Sequence, residues 1–412
     1  MSPLATPVTT PQPYQRTYVW KEDVENLERY CPGGYHPVHI DDEILGRYHI
    51  LHKLGFGSYS TVWLAKDLQK DRFVALKFIV ASESAESPDI RILRHLATSN
   101  PSHPGRRHMV NLLDDFKIEG PNGTHQCLVT EVVGPGVGKI KHELPKLNLP
   151  VPIAKRVASQ CAQALAFMHS SGVAHGDFHT GNILFVIPDF HSWSIEKVYE
   201  HFGKPYKEPI KRTDGQPLTP AAPRYAVAPT YPLDLAEIVM NEDCTIKVTD
   251  FGQSFFHSES PKTLHTAIAY AAPEILFEDV ITPKVDSWSL ACMIYELVGT
   301  HTLLESFFGD REGYLIEMVR TFGKLPERWW KQWDRRSTFF EEGGAFKPDS
   351  GDDTGEPRTV DLKERLLDIR REDDETQREL TGDLDMLERL LEPLLKYEPA
   401  ERANIEDILM PF

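Results

Sequence analysis

Apolar positions between Arg47 and Val80 fall into three short runs, RYHILHKLGFG, STVWLAKD and RFVALKFIV, each dense in β-branched or aromatic residues and separated by Gly or Asp/Lys turns. Such runs predict three strands of a small antiparallel sheet. A helix is predicted around Pro88–Ala97, then strands near His108–Phe116 and Gln126–Val132, where GPGVGK interrupts the pattern and marks a hinge. Beyond it, VPIAKRVASQCAQALAFMHSSG sets Ile153, Val157, Cys161, Leu165 and Met168 on one face at helical spacing, with Gly172 placed as a C-terminal cap. Helical patterns return in KVDSWSLACMIYELVG and DREGYLIEMVRTFGKL. The stretch from Asn182 to Asp250 carries many prolines, as in PLTPAAPRYAVAPTYP, and reads as a surface loop without regular structure or assigned chemistry. Residues 1–25, rich in Pro and Thr, read as a disordered tail, with order beginning near Tyr30.

Composition sets limits on this picture. A chain of 412 residues, 41% hydrophobic and 26% charged, is long enough for two or three compact units or one large fold in lobes. Its net charge of −17 argues against nucleic acid or an anionic membrane as the main ligand and suits a basic partner. The span 341–392 holds 18 acidic against 8 basic residues, so the acidity is concentrated there. Five scattered cysteines form no C-x-x-C pair, which indicates neither a zinc site nor a disulfide framework. With no signal-peptide or membrane-span pattern, a soluble monomer of cytoplasm or nucleus is expected.

Four segments carry chemistry. Leu54-Gly55-Phe56-Gly57-Ser58-Tyr59-Ser60-Thr61-Val62 lies at a turn between predicted strands, where glycines let backbone N–H groups approach phosphate oxygens; a hairpin without a ligand is the bland alternative. Val74-Ala75-Leu76-Lys77 puts an ammonium inside an apolar strand, making Lys77 a phosphate-contact candidate unless it snorkels to water. His175-Gly176-Asp177-Phe178-His179-Thr180-Gly181-Asn182 sets a carboxylate and a carboxamide five residues apart, and Thr249-Asp250-Phe251-Gly252 follows the strand TIKV. One carboxylate could accept a hydroxyl proton, while Asn182 and Asp250 offer the hard oxygen ligands that Mg²⁺ prefers.

The order of these motifs resembles the eukaryotic protein kinase superfamily, from about Tyr30 to the C-terminus. CPGGYHPV, RYHILHKLGFGSYSTVWLAKD and LVTEVVGPGV, with Ser60 in place of a third glycine, resemble the SR-protein kinases, in a divergent fungal-type branch because the long insertion precedes Asp250. The resemblance implies an α+β, bilobal kinase fold: an N-lobe over 26–133 with a small antiparallel sheet and one helix, and a mainly helical C-lobe over 134–412 containing the 183–249 insertion. It implies an ATP- and Mg²⁺-dependent serine/threonine kinase acting on protein substrates, arginine/serine-rich ones among them, in mRNA splicing regulation. On this resemblance Lys77 holds the α/β-phosphates, Asp177 is the catalytic base, and Asn182 and Asp250 ligate Mg²⁺. Leu54, Gly55, Gly57 and Ser60 line the phosphate loop. Val62, Ala75 and Leu184 sandwich the adenine, Glu131 and Val133 present backbone groups to its edge, and Thr130 is the gatekeeper. Glu274 of Ala272-Pro273-Glu274 would pair with Arg402, and Asp286 would be a buried aspartate of the following helix. Asp310 and Glu312 would meet basic peptide.

Departures from the kinase pattern keep other readings open. His179 stands where a lysine contacting the transferring phosphate is usual, so it is counted among the catalytic residues on position alone. Gly176 replaces an arginine that answers a phosphorylated loop, implying activity without that phosphorylation. Asp89 or Glu86 takes the place of the glutamate partner of Lys77, and Thr266 lies one position before the expected threonine, with Ala267 in its place. The alternatives are a kinase-fold phosphotransferase for small molecules, suggested by HGDFHTGN, and an ATP-binding pseudokinase scaffold.

Overall fold

The computed structural model describes residues 16–85, 87–229, 234–305, 310–347, 360–369 and 384–408. The chain divides into two units. The first comprises Met1–Glu86, Asp114–Thr130 and Phe202–Thr230; the second comprises Ser87–Leu113, Glu131–His201 and Tyr231–Phe412. The simple division expected at residue 133 therefore differs at two places, since 87–113 groups with the second unit and 202–230 with the first.

The first unit is built on a six-stranded sheet of β1 (Glu43–Ile44), β2 (Tyr48–Phe56), β3 (Ser60–Asp67), β4 (Arg72–Ile79), β5 (Leu112–Gly120) and β6 (Gly123–Thr130), in the order β1-β2-β3-β4-β6-β5. The β2–β3, β3–β4 and β4–β6 pairings are antiparallel. β-Branched and leucine side chains suit a pleated surface, and Ile50, Leu64, Val74, Leu76 and Val129 are wholly buried. Register slips between Ile50 and His52 and between Lys53 and Gly55 bend β2 as it approaches its glycines.

From residue 87 the chain forms α1 (Asp89–Thr98), α2 (Val137–Glu143) and α3 (Val151–Ser170). Ile153, Val157, Cys161, Leu165 and Met168 are buried along α3, and Gly172 follows it with φ +74°. Next come β7 (Val173–Ala174) and β8 (Ile183–Phe185). The Pro-rich insertion is more regular than its composition predicts: it holds α4 (Ile195–Phe202), the antiparallel pair β9 (Glu208–Pro209) and β10 (Tyr225–Ala226), and α5 (Asp234–Val239). Trp193, Val198 and Phe202 are buried around α4, an apolar spacing that the neighbouring prolines obscure. The chain then forms β11 (Ile246–Val248), β12 (Phe255–Phe256), α6 (Pro273–Leu276), α7 (Val285–Val298) and α8 (Arg311–Phe322). Every residue of α7 is buried, which makes it the centre of the second unit, with α3 packed against it.

Order begins well before Tyr30, contrary to the expected tail over 1–25. Tyr18 bridges to Arg212 of the insertion, Val19 N–H donates to Lys211 O at 2.9 Å, and Thr213 N–H donates to Thr17 O at 2.9 Å. Tyr18, Leu27, Tyr30, Tyr35, Ile210 and Ala226 share an apolar cluster. Burial of each large side chain stabilises by about 1.5–3 kcal/mol, enough to hold a segment whose composition alone reads as disordered.

Candidate active site

In the first unit, β2 and β3 meet at the glycine-rich turn. Gly57 N–H donates to Ser60 O at 2.9 Å, and a methyl group placed on Gly57 would touch nothing, so the turn is open on that side. Ser60 is buried as the first residue of β3, while Leu54 and Gly55 are half-buried. Cross-strand register pairs Val62 with Lys77 and Ala75 with Thr130. Because side chains alternate along a strand, Val62, Ala75, Lys77 and Thr130 share one face of the sheet. Sequence reasoning had joined these four only through resemblance.

In the second unit the centre is the loop after β7. Asp286 of α7, with no solvent exposure, accepts from His175 N–H at 2.8 Å, from Gly176 N–H at 2.9 Å, and lies 2.8 Å from His169 Nε2. Burial pushes its carboxyl up, but the hydrogen bonds from His169 and the loop N–H groups outweigh this and hold it below the usual carboxylate range. An ionised aspartate at the helix start thus fixes the loop backbone. Gly176 has φ +79°, and a Cβ there would sit 2.4 Å from Gln253 O. A side chain there would force the backbone to shift, so glycine suits this conformation.

Asp177 is held from several directions. Ala267 N–H donates to its Oδ1 at 3.1 Å, and Asn182 Nδ2 donates to its carbonyl at 2.9 Å. Thr266 Oγ1 donates instead to Gly176 O at 2.6 Å. The displaced threonine therefore steadies the loop backbone, while a main-chain amide, invisible to any residue-type pattern, steadies the carboxylate. His179 turns inward: its Nδ1 accepts from Gly181 N–H at 3.1 Å, its ring stacks on Tyr270, and its Nε2 lies 3.5 Å from Asp177 Oδ2. Asn182 Nδ2, which donates to the Asp177 carbonyl, also lies 3.1 Å from His179 Nε2, so the ring, the carboxamide and the Asp177 carboxylate are held side by side. His179 is thus placed to orient Asp177, a different duty from that of an extended lysine.

Asn182 and Asp250 stand at one end of a two-stranded ladder. β8 pairs antiparallel with β11, Ile183 opposite Val248, so Asn182 and Thr249 face each other beyond it and Thr249 N–H donates to Asn182 O at 2.9 Å. Asp250 follows with φ +61°, a left-handed conformation that aspartate tolerates, and its side chain is exposed. A carboxylate and a carboxamide oxygen at one ladder end fit Mg²⁺, which takes few protein ligands and completes its shell with water and phosphate. Among the described residues no cluster of three or more His, Cys, Asp or Glu could hold a metal by itself.

Leu184, half-buried in β8, sits opposite Lys247 and bridges to Gly136. Glu131 Oε1 receives Asn111 Nδ2 at 2.8 Å and Lys247 Nζ at 2.8 Å, and Glu131 N–H donates to Asn111 O at 3.3 Å. Half-buried Val133 lies two residues on. Asp89, buried at the start of α1, accepts from Ser87 Oγ at 2.8 Å. A methyl group on Gly252 would lie 3.3 Å from Asp250 Oδ1 and 3.7 Å from Asp89 Oδ2, so both carboxylates flank that glycine. Glu86 lies outside the described residues, as does much of the acidic span 341–392. Asp310 caps α8 by accepting from Gly313 N–H at 2.9 Å, and Glu312 Oε1 lies 3.7 Å from Arg335.

Comparison with known proteins agrees with this geometry. The profile of the protein kinase domain matches residues 48–192 and 233–411, leaving out most of the insertion. A stretch of 173 residues, 41% of the chain, is 42% identical to human SRSF protein kinase 3 and covers 30% of that protein. A serine/threonine protein kinase of Aspergillus fumigatus is 25% identical over 99% of the chain and 94% of its own length. A serine/threonine-protein kinase SRPK of Physarum polycephalum is 27% identical over 93% of the chain and 90% of its own length. The matched stretch thus spans less than a third of the mammalian relative.

Proposed function

This chain belongs to the protein kinase domain family, and on that footing we propose that it transfers the γ-phosphoryl group of ATP to serine or threonine hydroxyls of protein substrates. The observation that carries the reading is the posture of Asp177, its carboxylate fixed by Ala267 N–H and its carbonyl by Asn182, at the ladder end from which Asp250 follows. In that posture Asp177 accepts the proton of the incoming hydroxyl and aligns its oxygen for attack. Asn182 and Asp250 would hold Mg²⁺, which neutralises charge building on the phosphate oxygens when bound. Lys77 would grip the α/β-phosphates, with Val62, Ala75 and Leu184 around the adenine. Phosphoryl transfer asks little covalent chemistry of the protein, so positioning and charge neutralisation carry the rate.

Basic, arginine/serine-rich substrates are the substrate class within this reading. Support comes from the net charge of −17 and from relatives named SRSF protein kinase and SRPK. A protein rather than small-molecule acceptor is favoured by Glu274 and Arg402, which frame the segment ending in Ala-Pro-Glu. A monomer in cytoplasm or nucleus belongs to the same reading, and among the described residues no helix is long and apolar enough to cross a membrane. Purified protein with ATP, Mg²⁺ and an arginine/serine peptide should transfer phosphate, and Asp177→Ala should abolish it. Equal incorporation by both proteins would overturn the proposal.

A further inference from the structure

The CPGGYHPV segment has no part in the phosphoryl-transfer residues, yet its backbone is pinned tightly. Gly33 N–H donates to Asn122 O at 2.8 Å, Ala81 N–H to Gly34 O at 3.1 Å, and Ser82 N–H to Gly33 O at 2.9 Å. Gly34 admits no side chain, since a Cβ would lie 1.8 Å from Arg29 O. This tight turn delivers Tyr35, which is 2% exposed, so that its hydroxyl donates to Gly57 O at 2.7 Å. Arg29 lies over the rings of Tyr35 and Tyr59, 5.1 and 5.8 Å from their centroids, gripping the same turn a second time. Asn122 Nδ2 donates to Tyr35 O and to Ala221 O, both at 2.7 Å, tying the turn to the insertion. All of these groups belong to the first unit.

We propose that Tyr35 is a positioning residue for the nucleotide: the extension, clamped by the insertion, holds the glycine-rich turn through the Tyr35 hydroxyl in the posture that receives phosphate. A turn whose residues 56–59 are exposed would, without the Tyr35 bond, sample many conformations, and ordering it on binding lowers affinity. The assignment rests on the kinase reading for the identity of the ligand, while the brace itself is a property of the free protein.

Tyr35→Phe keeps the ring in its apolar cluster and removes only the hydroxyl. Amide exchange at Gly57–Tyr59, followed by mass spectrometry without nucleotide, should quicken by about three- to tenfold, the range of one net hydrogen bond. KM for ATP should rise by a similar factor, with kcat and KM for the peptide unchanged. Tyr48→Phe, which removes a different hydroxyl bond of the same unit, to Asp114, should leave exchange in the turn and KM for ATP as they are. Unaltered exchange in Tyr35→Phe, or a lowered melting temperature with no change in KM for ATP, would overturn the proposal. Faster exchange in a protein that transferred no phosphate at all would support the brace and sink only the kinase reading.

Discussion

Arg402 and Glu274 meet as a doubly hydrogen-bonded ion pair, both contacts 2.7 Å and neither side chain exposed to solvent. The planar guanidinium fork matches the carboxylate, and its remaining donors reach Lys396 O, Lys284 O and Tyr397 O, so the pair ties the last residues of the chain to the start of α6. Removing one partner strands a buried charge, which costs about 3–5 kcal/mol. Glu274→Ala is therefore expected to lower unfolding stability by that amount in urea titration, and Arg402→Lys, which loses the fork, to lose a substantial part of it.

A second buried pair lies in the first unit, where Lys53 of β2 meets Glu25, to which Tyr30 also donates. Burial pushes the lysine ammonium below its ordinary range, and Glu25 opposes this. Glu25→Ala should destabilise the protein by about 3–5 kcal/mol. Deletion of residues 1–28 should do at least as much, whereas a disordered tail could be removed at no cost. Chemical denaturation followed by tryptophan fluorescence separates the two outcomes.

Gly176→Ala places a Cβ against Gln253 O in a backbone region that favours glycine. Strain of this kind costs more than about 1 kcal/mol, and the shift falls one residue before Asp177. The expected outcome is a lower melting temperature together with lower kcat, read by calorimetry and initial rates. Gly176→Arg should behave no better, and phosphatase treatment of the wild type should leave its activity unchanged.

Asp177→Ala should reduce kcat by about 100- to 10,000-fold, the span typical of a lost general base, with the fold intact by circular dichroism. Asp250→Asn should instead raise the Mg²⁺ concentration needed for half-maximal rate. His179→Ala, by freeing one side of the Asp177 carboxylate, should lower kcat less than the loss of Asp177 does.

Stability should fall in mild acid. His36 and His108 are each held down to about 4, in both cases chiefly by burial. Between pH 6.5 and 4 the unfolded chain binds a proton at each that the folded chain refuses. Stability is therefore complete above pH 6.5 and declines by about 1.4 kcal/mol per pH unit for each histidine as pH drops toward 4. His36→Leu should remove one proton from that slope, measured by denaturation at pH 7, 5.5 and 4.5.

Much of the second unit was legible because its signals are costly residue types in apolar text. Asp286 inside VDSWSLACMIYELV and Arg402 near the C-terminus make sense only if paired, and both are. Strands β2, β3 and β4 were legible from their β-branched and aromatic runs. The extension was not, since the groups that order Tyr18 and Tyr30 lie in the insertion, almost two hundred residues away. The anchoring of Asp177 was hidden for a different reason: it uses the main-chain N–H of Ala267, which every residue but proline supplies. His179 was legible as a departure, but its inward turn depends on Gly181 N–H and the Tyr270 ring, neither of which a motif encodes.

The interleaving of the two units along the polypeptide bears on how the protein is made. Ribosomal synthesis delivers residues 87–113 and 131–201, which belong to the second unit, before the last strip of the first unit at 202–230. The amino-terminal unit, which usually closes early in translation, therefore cannot be completed here until residues 202–230 have been made. A gene fragment ending at residue 133 would lack Ile210, Ala222 and Ala226 and so expose one side of the apolar cluster around the tyrosines of the extension.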